Sequence, residues 1–277
     1  MSVKGTCFVI CLILFLISQS IAQELKLAEV ISKHAASIGT VEKRKELKNI
    51  VLLGFSVFES KLPQRKSAGK LAIVSDKSNL LFISSFTGEG YPFEKIGIFE
   101  GKINVPFVSP GIRSPLGDFL WEHPGILKSG LFSGSMSLTW SLLEENLKKG
   151  KLKLAGTKKI DGRKAYVIEY FTEGNSDSLK IRLYFDAETF QHIRSQYREE
   201  FAGKEATFGT LGQINGYVVE LTETFGDFKT SDGITLPNAS KVRYMGSSSK
   251  GTYEYDRVFK VTEAKFNQPL KEGFFNF

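Results

Sequence analysis

The chain has 277 residues, with 37 Lys and Arg against 30 Asp and Glu, and its only two cysteines are Cys7 and Cys11. Beyond the N-terminus no stretch is long and apolar enough for a spanning helix, which needs about 20 such residues. The formal net charge of +7 is interspersed with acidic residues rather than gathered into a basic stripe, so it reads as a solvated surface and not as a nucleic-acid interface.

Lys4, the apolar run Phe8–Ile17 and the small residues Ser20 and Ala22 form the three parts of a cleavable export signal. The spacing predicts cleavage between Ala22 and Gln23 and a soluble periplasmic chain. The apolar run is about half of a membrane span. Cys7 and Cys11 lie before and inside it, so no lipidation cysteine follows the apolar core. The expected mature chain, 23–277, lacks cysteine and must draw its stability from a packed core. Its phenylalanine content is high: 23 in the whole chain, of which Phe8 and Phe15 fall in the signal. Such content serves either a filled core or a groove for an apolar ligand.

The mature chain opens with an amphipathic helix, with Leu27, Ile31, Ala35 and Ile38 on one face and Gly39 as its stop. The period then changes to two. Residues 49–58, 70–75, 80–86, 93–99 and 102–108 read as five strands joined by short turns, which is an antiparallel meander. Residues 109–150 break this pattern. Pro110, Pro115 and Pro124 and five glycines punctuate short apolar groups, and Ser137–Leu147 reads as a helix. The whole stretch is expected to be a helical insert.

Strands return in the second half. In 179–185, Leu179, Ile181, Leu183 and Phe185 point one way and Lys180, Arg182 and Tyr184 the other, a dry face and a wet face. Strands at 190–199, 216–225, 228–230, 234–245 and 252–265 follow, with the Asp232-Gly233 turn as a hairpin signal. The expected fold class is α+β: a large curved antiparallel β-sheet of about eleven strands, an unclosed half-barrel, with an N-terminal helix and a helical lid packed on its dry face. Within the insert, Phe119, Leu120, Trp121, Leu131, Phe132 and Trp140 are the side chains expected to face the concave space.

The segments KKIDGRKAYVIEY at 158–170, LKIRLYFDAETFQHIRSQY at 179–197 and ETFGDFKTSDGITLP at 223–237 resemble those of the periplasmic lipoprotein-carrier superfamily, the LolA/LolB-like proteins, and especially its lipoprotein-sorting-like members. The resemblance extends over nearly all of 23–277, read as one half-barrel domain. It implies an unclosed barrel with a helical lid and a partner that is a lipid or an acylated protein; the positive net charge adds the expectation of a weak, transient contact with an anionic membrane surface.

Residues for chemistry are sparse. His34, His123 and His192 are far apart and form no metal-ligand spacing, no G-x-S-x-G elbow is present, and no Gly-Lys pair is followed by Ser or Thr. The expectation is a monomeric, non-enzymatic carrier of an apolar ligand without metal or cofactor. The alternative is an envelope scaffold whose half-barrel is filled by its own side chains.

Overall fold

The computed structural model describes residues 25–61, 64–87, 93–143, 150–172, 178–201, 216–248 and 251–276. The expected cleavage junction Ala22-Gln23 lies outside them. Helix α1 (Leu27–Ile38) opens the described chain, with the Glu29 carboxylate accepting from the Lys26 backbone N–H at 2.7 Å. It buries Val30, Ile31, His34, Ala35 and Ile38. A short α2 (Val41–Glu46) follows, its N-terminus capped by Thr40.

Among the described residues, twelve antiparallel strands form one open sheet: β1 (Asn49–Lys61), β2 (Gln64–Asp76), β3 (Leu80–Ser85), β4 (Phe93–Phe99), β5 (Lys102–Asn104), β6 (Gly150–Ile160), β7 (Arg163–Thr172), β8 (Leu179–Asp186), β9 (His192–Phe201), β10 (Tyr217–Ser231), β11 (Ile234–Ser248) and β12 (Gly251–Phe266). The expected curved α+β sheet is therefore present. The strand order is β5-β4-β3-β2-β1-β12-β11-β10-β9-β8-β7-β6. Two meanders are thus joined where the first strand pairs with the last, and β5 and β6 become the two edges. The chain between those edges, residues 105–149, must travel from one side of the sheet to the other. The described part of that connection crosses the concave face, which is why the insert and the sheet share one apolar core.

Three local details differ from the sequence reading. The segments expected at 216–225 and 228–230 are one continuous strand, β10, which keeps its pairing with β11 on both sides of Asp227. The strand expected at 102–108 stops at Asn104, and a Ser109–Ile112 bridge closes a separate turn. Ser137–Leu143 is not helical, and the rest of that expected helix lies outside the described residues. Its hydroxyls supply the reason. The Thr139 N–H donates to Ser137 Oγ at 3.1 Å, and the Leu138 N–H donates to Ser75 Oγ on β2 at 3.0 Å. Such bonds take the donors a helix would use.

The register of β8 follows the alternation. Ile181, Leu183 and Phe185 join the main core. Arg182 is on the other face, 3.4 Å from Glu169. That outer face is not uniformly wet: Tyr184 packs with Ala165, Val167 and Ile193 in a second apolar cluster. The tail after β12 covers another part of the outer face, where Phe275 joins Val74 and Leu81.

Candidate binding site

The concave face is built from side chains of alternate strand positions, and the insert lies on it. Helix α3 (Pro115–Glu122) starts at Ser114, whose hydroxyl accepts from the Gly117 N–H at 2.9 Å, and Pro115 occupies its first position. A second short helix, α4 (Pro124–Lys128), and a 3₁₀ turn (Gly134–Met136) follow. From Gly125 to Leu142 every residue except Lys128 is buried. An extended run this buried, with so little regular structure, needs side-chain partners for its backbone.

Five of the six candidate side chains converge on the core. Phe119, Leu120, Leu131, Phe132 and Trp140 are each at most 3 % exposed. Phe132 packs edge-on against Phe82 of β3, with 5.3 Å between ring centroids. Phe82 packs likewise against Phe259 of β12, again at 5.3 Å. Such edge-to-face pairs set the positive rim of one ring against the negative face of the next. Phe119 meets Tyr244 of β11. Trp121 does not join them. It is 46 % exposed. Leu116, Phe119 and Leu120 occupy the inner face of α3, and the next residue is turned about 100° away. Its ring lies 4.2 Å from the Arg113 guanidinium, which stands at the same distance from the ring of Phe107.

Little space remains between insert and sheet beside Trp140. The cavity there has a volume of about 20 Å³ and is lined by Ile38, Leu47, Ile50, Leu138, Trp140 and Leu236, among others. That is room for about one water. A larger cleft of about 330 Å³ lies at the β1–β2 hairpin end, but its lining includes Glu59, Lys61, Arg65, Lys66 and Glu254. Lys61 there pairs with Glu254 at 3.1 Å. Its lining is charged, unlike that of an acyl-chain pocket.

The polar residues that hold the insert were not singled out by the sequence reading. His34 of α1 is buried and makes two specific bonds. Its Nδ1–H donates to the Phe190 carbonyl at 2.9 Å. Its bare Nε2 therefore accepts from Trp140 Nε1–H, at 2.8 Å, since a neutral imidazole carries hydrogen on only one nitrogen. His192 of β9 stacks on the Trp140 ring at 4.4 Å. A register shift at Tyr184/Phe185 in the β8–β9 pairing places both His192 and Ser195 on the inner side. Gly134 passes so close that a Cβ would stand 2.7 Å from the His192 ring. Its φ of 47° favours glycine as well.

Glu223 of β10 accepts from the Ser133 N–H at 2.9 Å through Oε1, and its Oε2 lies 3.0 Å from the Tyr197 hydroxyl. Tyr197 also reaches the Leu131 carbonyl at 3.1 Å. Burial lowers the pKa of His34 to about 4 against the weaker upward pull of its bond to Phe190, with nearby Arg44 adding to the lowering. Burial, with His34 beside it, holds His192 well below its ordinary range. Burial raises Glu223 to about 8, against the downward pull of the Ser133 N–H and of the Tyr197 hydroxyl whenever that hydroxyl donates to it.

A second polar pair sits elsewhere on the sheet. Arg257 of β12 donates to Glu94 of β4 at 2.6 Å, and both side chains are at most 2 % exposed. The rings of Tyr255, Phe86 and Phe58 surround the guanidinium at 5.0 Å, 5.7 Å and 5.8 Å, close enough for their π-faces to attract it. The sequence did carry a signal for these groups. Glu223 keeps the phase of Leu221 and Phe225, Arg257 that of Tyr255 and Phe259, and Glu94 that of Ile96 and Ile98. A charged residue in the dry phase of a strand must find a buried partner.

Among the described residues no group of three or more His, Cys, Asp or Glu could hold a metal ion, and no helix is long and apolar enough to cross a membrane.

No family model matches the chain, and no curated protein matches it. Several solved structures are similar to it. A domain described as an outer membrane lipoprotein-sorting protein from Vibrio parahaemolyticus is 11% identical, with a TM-score of 0.47, covering 90% of this chain and 95% of that one. A DUF1329 family protein from Desulfovibrio piger is 10% identical, with a TM-score of 0.41 over 90% of this chain and 96% of its own. The Mycobacterium tuberculosis lipoprotein LppX is 11% identical, with a TM-score of 0.25 over 89% and 99%.

Proposed function

We propose that the protein is a non-catalytic binding protein of the bacterial cell envelope that takes an apolar ligand, a lipid or the acyl chain of a lipoprotein, on its concave face in place of the insert. The observation that carries this reading is the state of residues 130–142. They are wholly buried on the dry face, yet their only regular structure is one 3₁₀ turn. Its local backbone bonds, such as Gly134 N–H to Leu131, Ser137 N–H to Gly134 and Trp140 N–H to Ser137, form single turns that do not propagate into a helix, and isolated turns contribute little stability of their own. It occupies an apolar surface that would otherwise face water or a ligand. Withdrawal of Leu131, Phe132, Leu138 and Trp140 would uncover Phe82, Phe185 and Phe259 on the sheet, a surface suited to hydrocarbon.

A specific observation favours a second reading, the envelope scaffold. The space beside Trp140 holds only about 20 Å³. On that reading the insert is ordinary core.

Titration of purified, delipidated protein with a fluorescent fatty acid separates the two. The carrier reading expects saturable micromolar binding, a change in Trp140 fluorescence, and weaker binding in a Phe132→Asp variant whose sheet still forms. Absence of saturable binding, together with unfolding of Phe132→Asp, establishes the scaffold. Export is tested separately: N-terminal sequencing of the periplasmic protein should begin at Gln23, and an intact Met1 in the membrane fraction refutes it.

A further inference from the structure

We propose that the insert is a proton-operated latch: its 131–140 segment docks on the sheet while Glu223 is a carboxylic acid and His34 a neutral imidazole, and a change of charge at either one loosens it. The inference rests on the docked structure and does not depend on which ligand, if any, replaces the insert.

Counting hydrogens assigns the state of Glu223. The Tyr197 hydroxyl has one proton. It lies within hydrogen-bond distance of two acceptors, the Leu131 carbonyl at 3.1 Å and Glu223 Oε2 at 3.0 Å. If Glu223 were ionised, one of these two oxygen–oxygen contacts would contain no hydrogen. If Oε2 carries a proton, the chain closes: Glu223 Oε2–H donates to Tyr197, Tyr197 donates to Leu131, and Oε1 accepts from the Ser133 N–H. The Leu131 carbonyl also receives the Gly134 N–H at 3.1 Å, so this relay holds three consecutive parts of the insert. Among the described residues, Tyr170 of β7, whose hydroxyl is 2.6 Å from Ser141 Oγ, is the other titratable group near Tyr197.

The other end depends on a single lone pair. The Nδ1 of His34 must carry hydrogen, because its partner, the Phe190 carbonyl, can only accept. The Nε2 therefore faces Trp140 Nε1–H as an acceptor. A second proton on the ring would set N–H against N–H and drive Trp140 from its place. Among the described residues, the charged or titratable groups around His34 are Arg44 of α2, which donates to the Ala35 carbonyl, His192 of β9 at 6.3 Å between centroids, and Lys33 over the Phe190 ring. Among these, Arg44 opposes charge on His34 and His192 is itself neutral. None is a carboxylate that would compensate an imidazolium.

The two ends respond in opposite directions. Glu223, raised when docked, holds the insert fully below about 4.5, and this contribution is lost as pH rises through about 8. His34, lowered when docked, holds it fully above 6.5, and its contribution is lost as pH falls through about 4. Between 4.5 and 6.5 the two trends offset each other. Docking is therefore firmest in mildly acidic solution, and the docking constant falls about tenfold per pH unit from 6.5 to 8.

Trp140 reports on this directly in a Trp121→Phe background, where it is the only tryptophan. Acrylamide quenching should stay low between pH 4.5 and 6.5 and increase on both sides while the far-ultraviolet sheet signal is unchanged. Glu223→Gln, whose amide can donate to Tyr197 and accept from Ser133, should abolish the alkaline change and keep the acid one. His34→Gln should move the acid change to lower pH and leave the alkaline one. An alkaline change that persists in Glu223→Gln overturns the latch, as does loss of the sheet signal together with the Trp140 change. Should Glu223→Gln fail to fold, infrared spectroscopy of the wild type at pH 6 decides: a carboxylic-acid C=O band lost by pH 9.5 supports the proposal, and its absence at pH 6 refutes it.

Discussion

Removal of one partner from the Arg257–Glu94 pair gives a sharp test of the core. Both side chains are almost fully buried, and the guanidinium donates to Glu94 at 2.6 Å through Nη2. Among the described residues its Nε and Nη1 have no hydrogen-bond partner, and Glu94 is the group that answers its charge. Glu94→Ala leaves a cation among Tyr255, Phe86 and Phe58. Their π-faces offset part of the loss, at about 0.5–2 kcal/mol for such contacts. Breaking a buried pair from one side costs about 3–5 kcal/mol, because the remaining charge cannot be solvated. For a chain of this size that corresponds to a fall in Tm of roughly 6–20 °C. The double variant Glu94→Leu/Arg257→Met replaces both charges by apolar groups and should recover most of the loss. Urea unfolding followed by far-ultraviolet circular dichroism measures all forms. A Glu94→Ala loss below about 1 kcal/mol, or a double variant whose loss is the sum of the two singles, would refute the reasoning, since one-sided removal of a buried partner costs several times that.

Three further substitutions have defined expected outcomes. Leu183→Ala should destabilise by about 2–5 kcal/mol as a large-to-small change at a fully buried position. Arg182→Ala should cost about 0.5 kcal/mol or less, as surface substitutions usually do, because its contact with Glu169 is partly solvated; equal losses in urea unfolding would mean that the register of β8 is wrong. Gly134→Ala combines a positive φ with a Cβ 2.7 Å from the His192 ring and 2.8 Å from Phe225. It should cost about 1–3 kcal/mol and increase quenching of Trp140; a thermal melt and Trp140 emission unchanged from the wild type would show that the insert does not approach the sheet so closely.

Much of the fold was legible because β structure carries a period of two and its turns carry their own chemistry. Asp161-Gly162 and Asp232-Gly233 both adopt positive φ, as two-residue hairpin turns require, and the dry face of β8 follows directly from its alternation. The apolar groups of the insert were visible too, and five of the six side chains chosen from it are buried together. The choice of Trp121 failed because Pro and Gly leave pieces too short to show which face is apolar. The pairing of β1 with β12 could not be read, since it joins residues as far apart in the chain as Ile50 and Phe266 and nothing local encodes it. That closure turns two separate meanders into one sheet with β5 and β6 at opposite edges, and so sends the insert across the concave face. The irregular path of Ser137–Leu143 was decided there as well. Its hydroxyls and amides found Ser75 and Tyr170 on the sheet, and those bonds outweighed the weak preference of a short segment for helix. The same holds for His34, Glu223 and Arg257. Local sequence determined which faces are dry, whereas their burial, partners and protonation states follow only from the strands and helix that the tertiary fold brings against them, because the charge of a buried group depends on distant neighbours and on exclusion of water.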